Sequence, residues 1–465
     1  MKKHIKGAIC AAVLAVAASG CNDFLKGGDL TKDPNNPLDA SPTQFFESVQ
    51  VNLWQQQSGD LARLVALWMQ QAFGAARQAQ GIQNFTGVTE GSYDAEFARA
   101  YGGGGILDLR KIDAQVTVLG DSMFLGISKI LEAWLIGTNA DIWGDIPYNQ
   151  ADSFLVYPKP VLDPQQQVYD SVQSKLSQGI AELETGIGKG PGTSDLVYKG
   201  DPTSWIALAH TLKARFFLHT AEVVGAQAYT SALAEATLGI SSNDGDYIAN
   251  FSGTQQAESN PWWQFVDGGG GTGRAGDITG LPSHLDSLLR GGDPRDSVYF
   301  ATITGSDTSN ADQGFFSSER LNKSFPQPFV TYNENLLIKA ESQFELGQTG
   351  PALVSLNQEL AAWATPPLSP TSSKSWHPAV ILPAAGSISL GAIMNEKNIT
   401  LFQNIEVWND YKRTCYPQIT PFAGGVNGVI PGRLLYPVGE RQTNSNVPLP
   451  SQQPARNHND PNPCP

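Results

Sequence analysis

Helical spacing dominates this sequence, and that limits the chain to a mainly α architecture. Ser122 to Asn139 sets Phe124, Ile127, Ile130, Leu131, Trp134 and Leu135 on one stripe. The same period predicts helices over about Thr43–Trp54, Leu61–Ala79, Tyr229–Leu238, Tyr332–Leu346, Pro351–Trp363 and Leu390–Tyr411. Tyr93–Lys111 reads the same way, interrupted at Gly102 to Gly105. Asp163-Pro164 and Asp201-Pro202 each pair a capping carboxylate with a proline suited to a first turn. They predict helices to about Leu183 and over Thr203–Val223. Strand signals are short, as at Ser297–Ile303.

Two helix pairs have the small-residue pattern of tetratricopeptide units. Ala340, Phe344 and Leu346-Gly347 precede Ala352, Leu353, Leu356 and Leu360; Trp205, Leu208, Ala209, Leu212 and Ala214 precede Tyr229, Ala232 and Ala236. Small residues at these spacings let paired helices approach and stack as an α-solenoid. Between the helices lie polar regions rich in Gly, Pro, Ser and Asn. The expected organisation is one domain over 41–465, with helical scaffold 41–239 and 331–412 and loop-rich insertions 240–330, 364–388 and 413–465. Loops this long in a compact protein are usually functional or packed on the body.

The first 20 residues read as an export signal. Lys2, Lys3 and Lys6 precede a short apolar stretch, and Ala18-Ser19-Gly20-Cys21 resembles a bacterial lipobox. Cleavage there makes Cys21 the lipidated first residue, with 21–40 as a tether. No later segment has 18 apolar residues free of charge, so the mature chain is expected to be anchored rather than spanning. Removing the three lysines takes the formal net charge from −14 to −17. An acidic chain with 16% charged residues is a poor match for nucleic acid or anionic lipid surfaces. Cys415 and Cys464 remain in an oxidising compartment, either bridged or as two free thiols.

Catalytic signatures are missing. The sequence has no G-x-S-x-G, no H-E-x-x-H and no P-loop, and no carboxylate pair stands out for glycoside hydrolysis. His210 and His219 are nine apart, the wrong spacing for a metal pair on one helix face, and read as structural. Asp307, Asn310 and Asp312 form an oxygen-rich loop that does not match an EF-hand, so neither calcium nor any other cofactor has a specific motif. Tryptophan is the better lead. Sugar rings stack their C–H faces on indoles while amides bond the hydroxyls, and Asn260-Pro261-Trp262-Trp263-Gln264 offers both chemistries. Trp376 lies in a second loop. An equally weighted reading makes Trp262 and Trp263 packing anchors. Trp54, Trp68, Trp134, Trp205 and Trp408 fall in helical patterns and belong to the core.

Four segments carry a family resemblance. Cys21-Asn22-Asp23-Phe24-Leu25 resembles the mature start of SusD/RagB-family outer-membrane lipoproteins. Ala140 to Tyr148, reading Ala-Asp-Ile-Trp-Gly-Asp-Ile-Pro-Tyr, is similar to their signature after an early helix. Asn335 to Glu341 resembles their tetratricopeptide helix. Glu396-Lys397, Trp408 to Arg413, Arg433 to Pro437 and Glu440 follow in the order of their C-terminal region; Asp293-Pro294-Arg295 is a weaker match. The resemblance implies a helical scaffold carrying a loop-rich ligand region, a lipid anchor at the outer membrane, and no enzymatic activity. It implies a SusC-like TonB-dependent transporter as partner and an oligosaccharide as ligand. Peptide or another small nutrient is the alternative, and a surface glycan hydrolase or a protein-binding scaffold a more distant one. The signature motifs themselves are expected to be structural, with Gly144 and Pro147 ending a helix, Asp141 and Asp145 satisfying turn N–H groups, and Trp143 stapling the turn.

Overall fold

The computed structural model describes residues 40–266, 274, 276–301, 316–367, 375–426 and 428–464. The export signal, Cys21, Gly268 to Gly271 and the Asp307, Asn310, Asp312 loop lie outside the described residues.

Eleven principal helices, numbered in chain order among the described residues, build the scaffold. They are α1 (Pro42–Ser58), α2 (Asp60–Trp68), α3 (Ile106–Leu119), α4 (Ser122–Trp143), α5 (Gln165–Glu184) and α6 (Pro202–Leu218). After them come α7 (Ala226–Leu238), α8 (Tyr332–Glu345), α9 (Thr349–Ala362), α10 (Leu390–Thr400) and α11 (Glu406–Thr414). From α4 to α9 each helix packs on the next, which is the stacked helix-pair arrangement predicted from small-residue spacing. Two glycines show why the spacing matters. A Cβ on Gly126 of α4 would stand 2.7 Å from the Gly179 carbonyl of α5, and one on Gly137 would stand 2.3 Å from the Phe216 ring of α6. Side chains at either place would force the helices apart.

The starts of these helices are locally encoded. Ser41, Asp121, Asp201, Thr331 and Ser389 each accept the backbone N–H three residues on, supplying one of the donors a helix start leaves unpaired. Asp163 does not follow this expectation. Its carboxylate accepts Tyr148 N and Asn149 N, both at 2.8 Å, and the first turn of α5 is capped across space by Asp145, whose Oδ1 accepts Gln165 N at 2.8 Å.

Two predicted helices are broken, and at one common place. The helix expected over Leu61–Ala79 stops at Trp68, where Gln70 turns to φ 51°. The helix expected over Leu390–Tyr411 divides into α10 and α11, with Gln403 at φ 68°. The buried Gln71 amide holds both breaks: Nε2 donates to the carbonyls of Asn398 (2.8 Å) and Leu401 (3.1 Å), and Oε1 accepts Gln403 N (3.1 Å). A buried amide satisfied on both sides outweighs local helix propensity. The strand expected over Ser297–Ile303 instead begins as a helical turn, Asp296–Tyr299, with Phe300 in a single bridge to Phe316.

The strands are short: β1 (Phe73–Gly74), β2 (Tyr247–Ala249), β3 (Ile278–Thr279) and β4 (Gln327–Val330). β1 pairs antiparallel with β3, and β2 with β4 in the register Tyr247↔Val330. The β1–β3 pair stitches the loop-rich insertion onto the scaffold, and the β2–β4 pair joins the two ends of the insertion. The main core runs continuously from α1 to the C-terminal segment and holds Trp54, Trp68, Trp134, Trp205 and Trp408. A smaller cluster under α8, α9 and α10 contains Leu337, Leu356, Ile393 and Met394. No helix among the described residues is long and apolar enough to cross a membrane.

The chain after α11 wraps back over the end of α4. Cys415 and Cys464 are joined by a disulfide, Cα–Cα 5.1 Å, and close this segment on itself. Leu434 N donates to Ile142 O (3.0 Å), Trp143 Nε1 to Leu435 O (3.1 Å), Tyr436 Oη to Asp145 O (2.6 Å) and Trp408 Nε1 to Pro431 O (3.0 Å).

Candidate functional site

The described segments that carried the family resemblance meet in space, and they meet as structure. Trp143 is fully buried, and Gly144 follows it at φ 81° beside Asn457 of the C-terminal segment, where a Cβ would stand 2.7 Å from Asn457 Oδ1. Asp145 caps α5 as described. Asp141 differs from its expected role in a turn. It accepts Tyr169 Oη at 2.5 Å and faces Nδ1 of His219 at 2.7 Å, while Nε2 of His219 meets Glu406. The three ligand atoms lie within 4.8 Å of one another, a spacing a metal could use. Both nitrogens of His219 are already engaged by carboxylates, which is the arrangement of a buried imidazolium. Burial opposes that charge, but Asp141 and Glu406 outweigh it and hold the His219 pKa up to about 10.

This has a measurable sign. A histidine raised from its ordinary value of about 6.5 contributes stability that is full below that value and is lost as pH rises towards 10. The unfolding free energy is therefore expected to decline over that window, by on the order of 1 kcal/mol per pH unit from this group. His219→Gln should be less stable at pH 6.5, and its deficit should shrink as the pH is raised in denaturant titrations.

A second buried network joins α8, α10 and α11. Lys397 Nζ lies 2.7 Å from Glu341 Oε2 and 2.9 Å from Asp410 Oδ1; Arg413 pairs with the same two carboxylates, at 2.6 Å to Asp410. All four are buried. Glu341, Lys397, Asp410 and Arg413 all belong to the resemblance motifs, so those motifs encode charge pairing in the core rather than ligand contacts.

The insertion side carries a cleft. It has a volume of about 510 Å³ and opens between the segments 297–298, 317–326 and 375–378. Its rim is polar and exposed, with Ser297, Glu319 and Asn322; Ser324 and Ser375 stand below them. Its floor is buried and formed by Ser317, Arg320, Phe325, Trp376 and His377. Trp376 donates Nε1 to Asp246 Oδ2 at 2.9 Å, and the His377 ring lies edge-on to Trp376 at 4.2 Å and tilted against Trp363 at 4.5 Å. His377 Nδ1 pairs with the Pro378 carbonyl at 2.7 Å, which assigns the proton there and leaves Nε2 an acceptor. Burial pulls its pKa down to about 4, so the ring is neutral.

Of the residues singled out in the sequence, Trp376 reaches this floor. Trp262 is fully buried against Phe316 (5.9 Å), and Asn260 is fully buried, its Oδ1 accepting Trp262 N and its Nδ2 donating to Phe325 O. Both anchor the short helix Pro261–Val266 that carries Trp263, which stays half-buried. Gln264 donates to Ser259 O at 2.6 Å. His210 pairs with Glu235 at 2.6 Å. Arg320 and His377 were not singled out. Arg320 packs on Tyr299, Phe325 and Phe402, which come from separate segments of the chain, so no local motif marked it.

Stacked helix pairs thus carry a loop-lined cleft with a polar rim and an aromatic floor. Residues 34–437 match the SusD-like family described as starch-binding, associating with outer membrane, and the chain belongs to that family. No curated protein matches the sequence. Among solved structures, a SusD/RagB family protein from Bacteroides thetaiotaomicron aligns at 17% identity and TM-score 0.67, over 88% of this chain and 95% of that one. A chitin-binding SusD homolog from Flavobacterium johnsoniae aligns at 19% identity and TM-score 0.70, over 89% and 98%. A SusD homolog from Bacteroides uniformis aligns at 18% identity and TM-score 0.66, over 88% and 95%. At these identities the structures establish the shared fold.

Proposed function

We propose that this chain is a cell-surface lipoprotein that binds a nutrient oligosaccharide and delivers it, without chemical turnover, to a TonB-dependent outer-membrane transporter. The observation that carries the reading is the family match across 34–437. The chitin-binding relative from Flavobacterium johnsoniae, with the same fold over nearly its whole length, supports a glycan ligand. The cleft supports it too, because serine, asparagine and carboxylate groups on the rim suit sugar hydroxyls and an aromatic floor suits C–H faces. Trp376 and the half-buried Trp263 are the proposed indole contacts, with Gln264 beside Trp263. Residues 41–465 act as one unit, tethered through 21–40 to a lipid on Cys21 at the outer membrane. Metal and cofactor have no assigned part. Calorimetric titration of the mature chain with oligosaccharides tests the reading: saturable binding supports it, and shortened sugar products would contradict it.

A further inference from the structure

Among the described residues, Arg320 is a buried cation without a counter-ion. Three other deeply buried arginines meet carboxylates, Arg215 with Glu334, Arg295 with Glu396 and Arg413 with Glu341, while Arg433 donates Nε to the Leu434 carbonyl at 3.2 Å. Arg320 is 1% exposed and forms no ion pair among the described residues. Its one side-chain hydrogen bond runs from Nη1 to Gln403 Oε1 at 3.4 Å, and Nε has no partner. The guanidinium lies 4.7 Å from the Tyr299 ring centre, 4.8 Å from Phe325 and 5.3 Å from Phe402. Three rings recover part of the cost of burying the charge. They leave guanidinium donors unused, and burying unused donors of a charged group is expensive. Glu319 stands on the exposed rim of the same cleft and makes no ion pair with Arg320. Beside Arg320 on the floor, the Nε2 of His377 is a second buried polar atom without a partner.

We infer that the floor of this cleft is an anion subsite, in which Arg320 receives a carboxylate of the ligand and His377 Nε2 accepts an adjacent hydroxyl. Resting on the glycan reading, this names the class as an acidic sugar, with a uronic acid supplying both groups on one ring. A bidentate guanidinium–carboxylate pair would supply the missing counter-charge, and such pairs are short and strong. A neutral imidazole with its proton held by the Pro378 carbonyl is suited to a hydroxyl rather than to a second anion.

The test compares a uronic-acid trisaccharide, its carboxyl-reduced neutral counterpart, and a short peptide whose only anion is its C-terminal carboxylate. Each is titrated into the mature chain and into Arg320→Met, with thermal melting of both proteins alongside. The expected result is at least tenfold tighter binding of the uronate than of its neutral counterpart, with the gap abolished in Arg320→Met. The variant should melt no lower than wild type, because it removes an unpaired buried charge. Equal affinity for the two sugars, or a gap that survives the substitution, would overturn the subsite while leaving glycan binding intact. Binding of the peptide alone, abolished by Arg320→Met, would support the anion site and contradict the sugar reading. No binding of any of the three would overturn the acidic-sugar subsite while leaving the glycan reading to stand or fall on other oligosaccharides. If Arg320→Met melts lower, His377→Phe provides the second arm: it should weaken the uronate at least threefold and leave the peptide unchanged, and no change would count against the proposal.

Discussion

Lys397→Met should lower the unfolding free energy by about 3–5 kcal/mol, the cost of leaving a buried ion pair half broken. Lys397 is 2% exposed and stands between Glu341 and Asp410, both buried. Without it, two carboxylates share the single cation of Arg413. Burial pushes Glu341 up, but Arg413 and Lys397 together outweigh it and hold its pKa below the ordinary glutamate value. Removing Lys397 withdraws part of that support, so the variant should lose less stability from this group on acidification than the wild type does. The pairing of Glu341→Leu with Lys397→Met should cost less than Lys397→Met alone, because no unpaired acid is added. Denaturant unfolding of the three proteins checks this. A loss below 1 kcal/mol in Lys397→Met would mean that the network is not the clamp between α8, α10 and α11 described above.

The next largest effect belongs to the disulfide. Cys415 and Cys464 are separated by 49 residues, and closing a loop of that size restricts the unfolded chain by about 4 kcal/mol in the loop-entropy account. Cys415→Ala with Cys464→Ala should lose about that much stability at unchanged secondary structure. Hydrogen bonds from Trp143, Leu434 and Tyr436 keep the C-terminal segment on α4, so the fold itself should survive. The effect should appear as a lower denaturant midpoint, matched by reduction of the wild type. An unchanged midpoint would mean that those direct bonds, and not the bridge, hold the segment.

The scaffold was legible because its signals are local. Asp201-Pro202 caps α6 as read, since cap and first turn lie within three residues. The helix-pair packing was readable because small residues recur at a fixed period. Asp163 was misread because its partners, Tyr148 and Asn149, lie across a turn, leaving Asp145 to cap α5. The breaks at Gln70 and Gln403 were invisible because the Gln71 side chain, next to the first, binds the second across 327 to 332 residues of sequence. The site was less legible still. An indole in a loop looks alike whether it shows a face or, as Trp262 does, lies fully buried. The unpaired charge of Arg320 is defined by what fails to surround it, and no single segment encodes that.

The central claim is that this chain binds glycan and leaves it intact. The most direct measurement is titration calorimetry of the protein against starch-derived, chitin-derived and uronic-acid oligosaccharides, with a peptide panel alongside and chromatography of each sugar afterwards. The account predicts saturable heat for at least one oligosaccharide, none for the peptides, and every sugar recovered at its original length. Shortened sugars, or saturable binding by peptides alone, would contradict it.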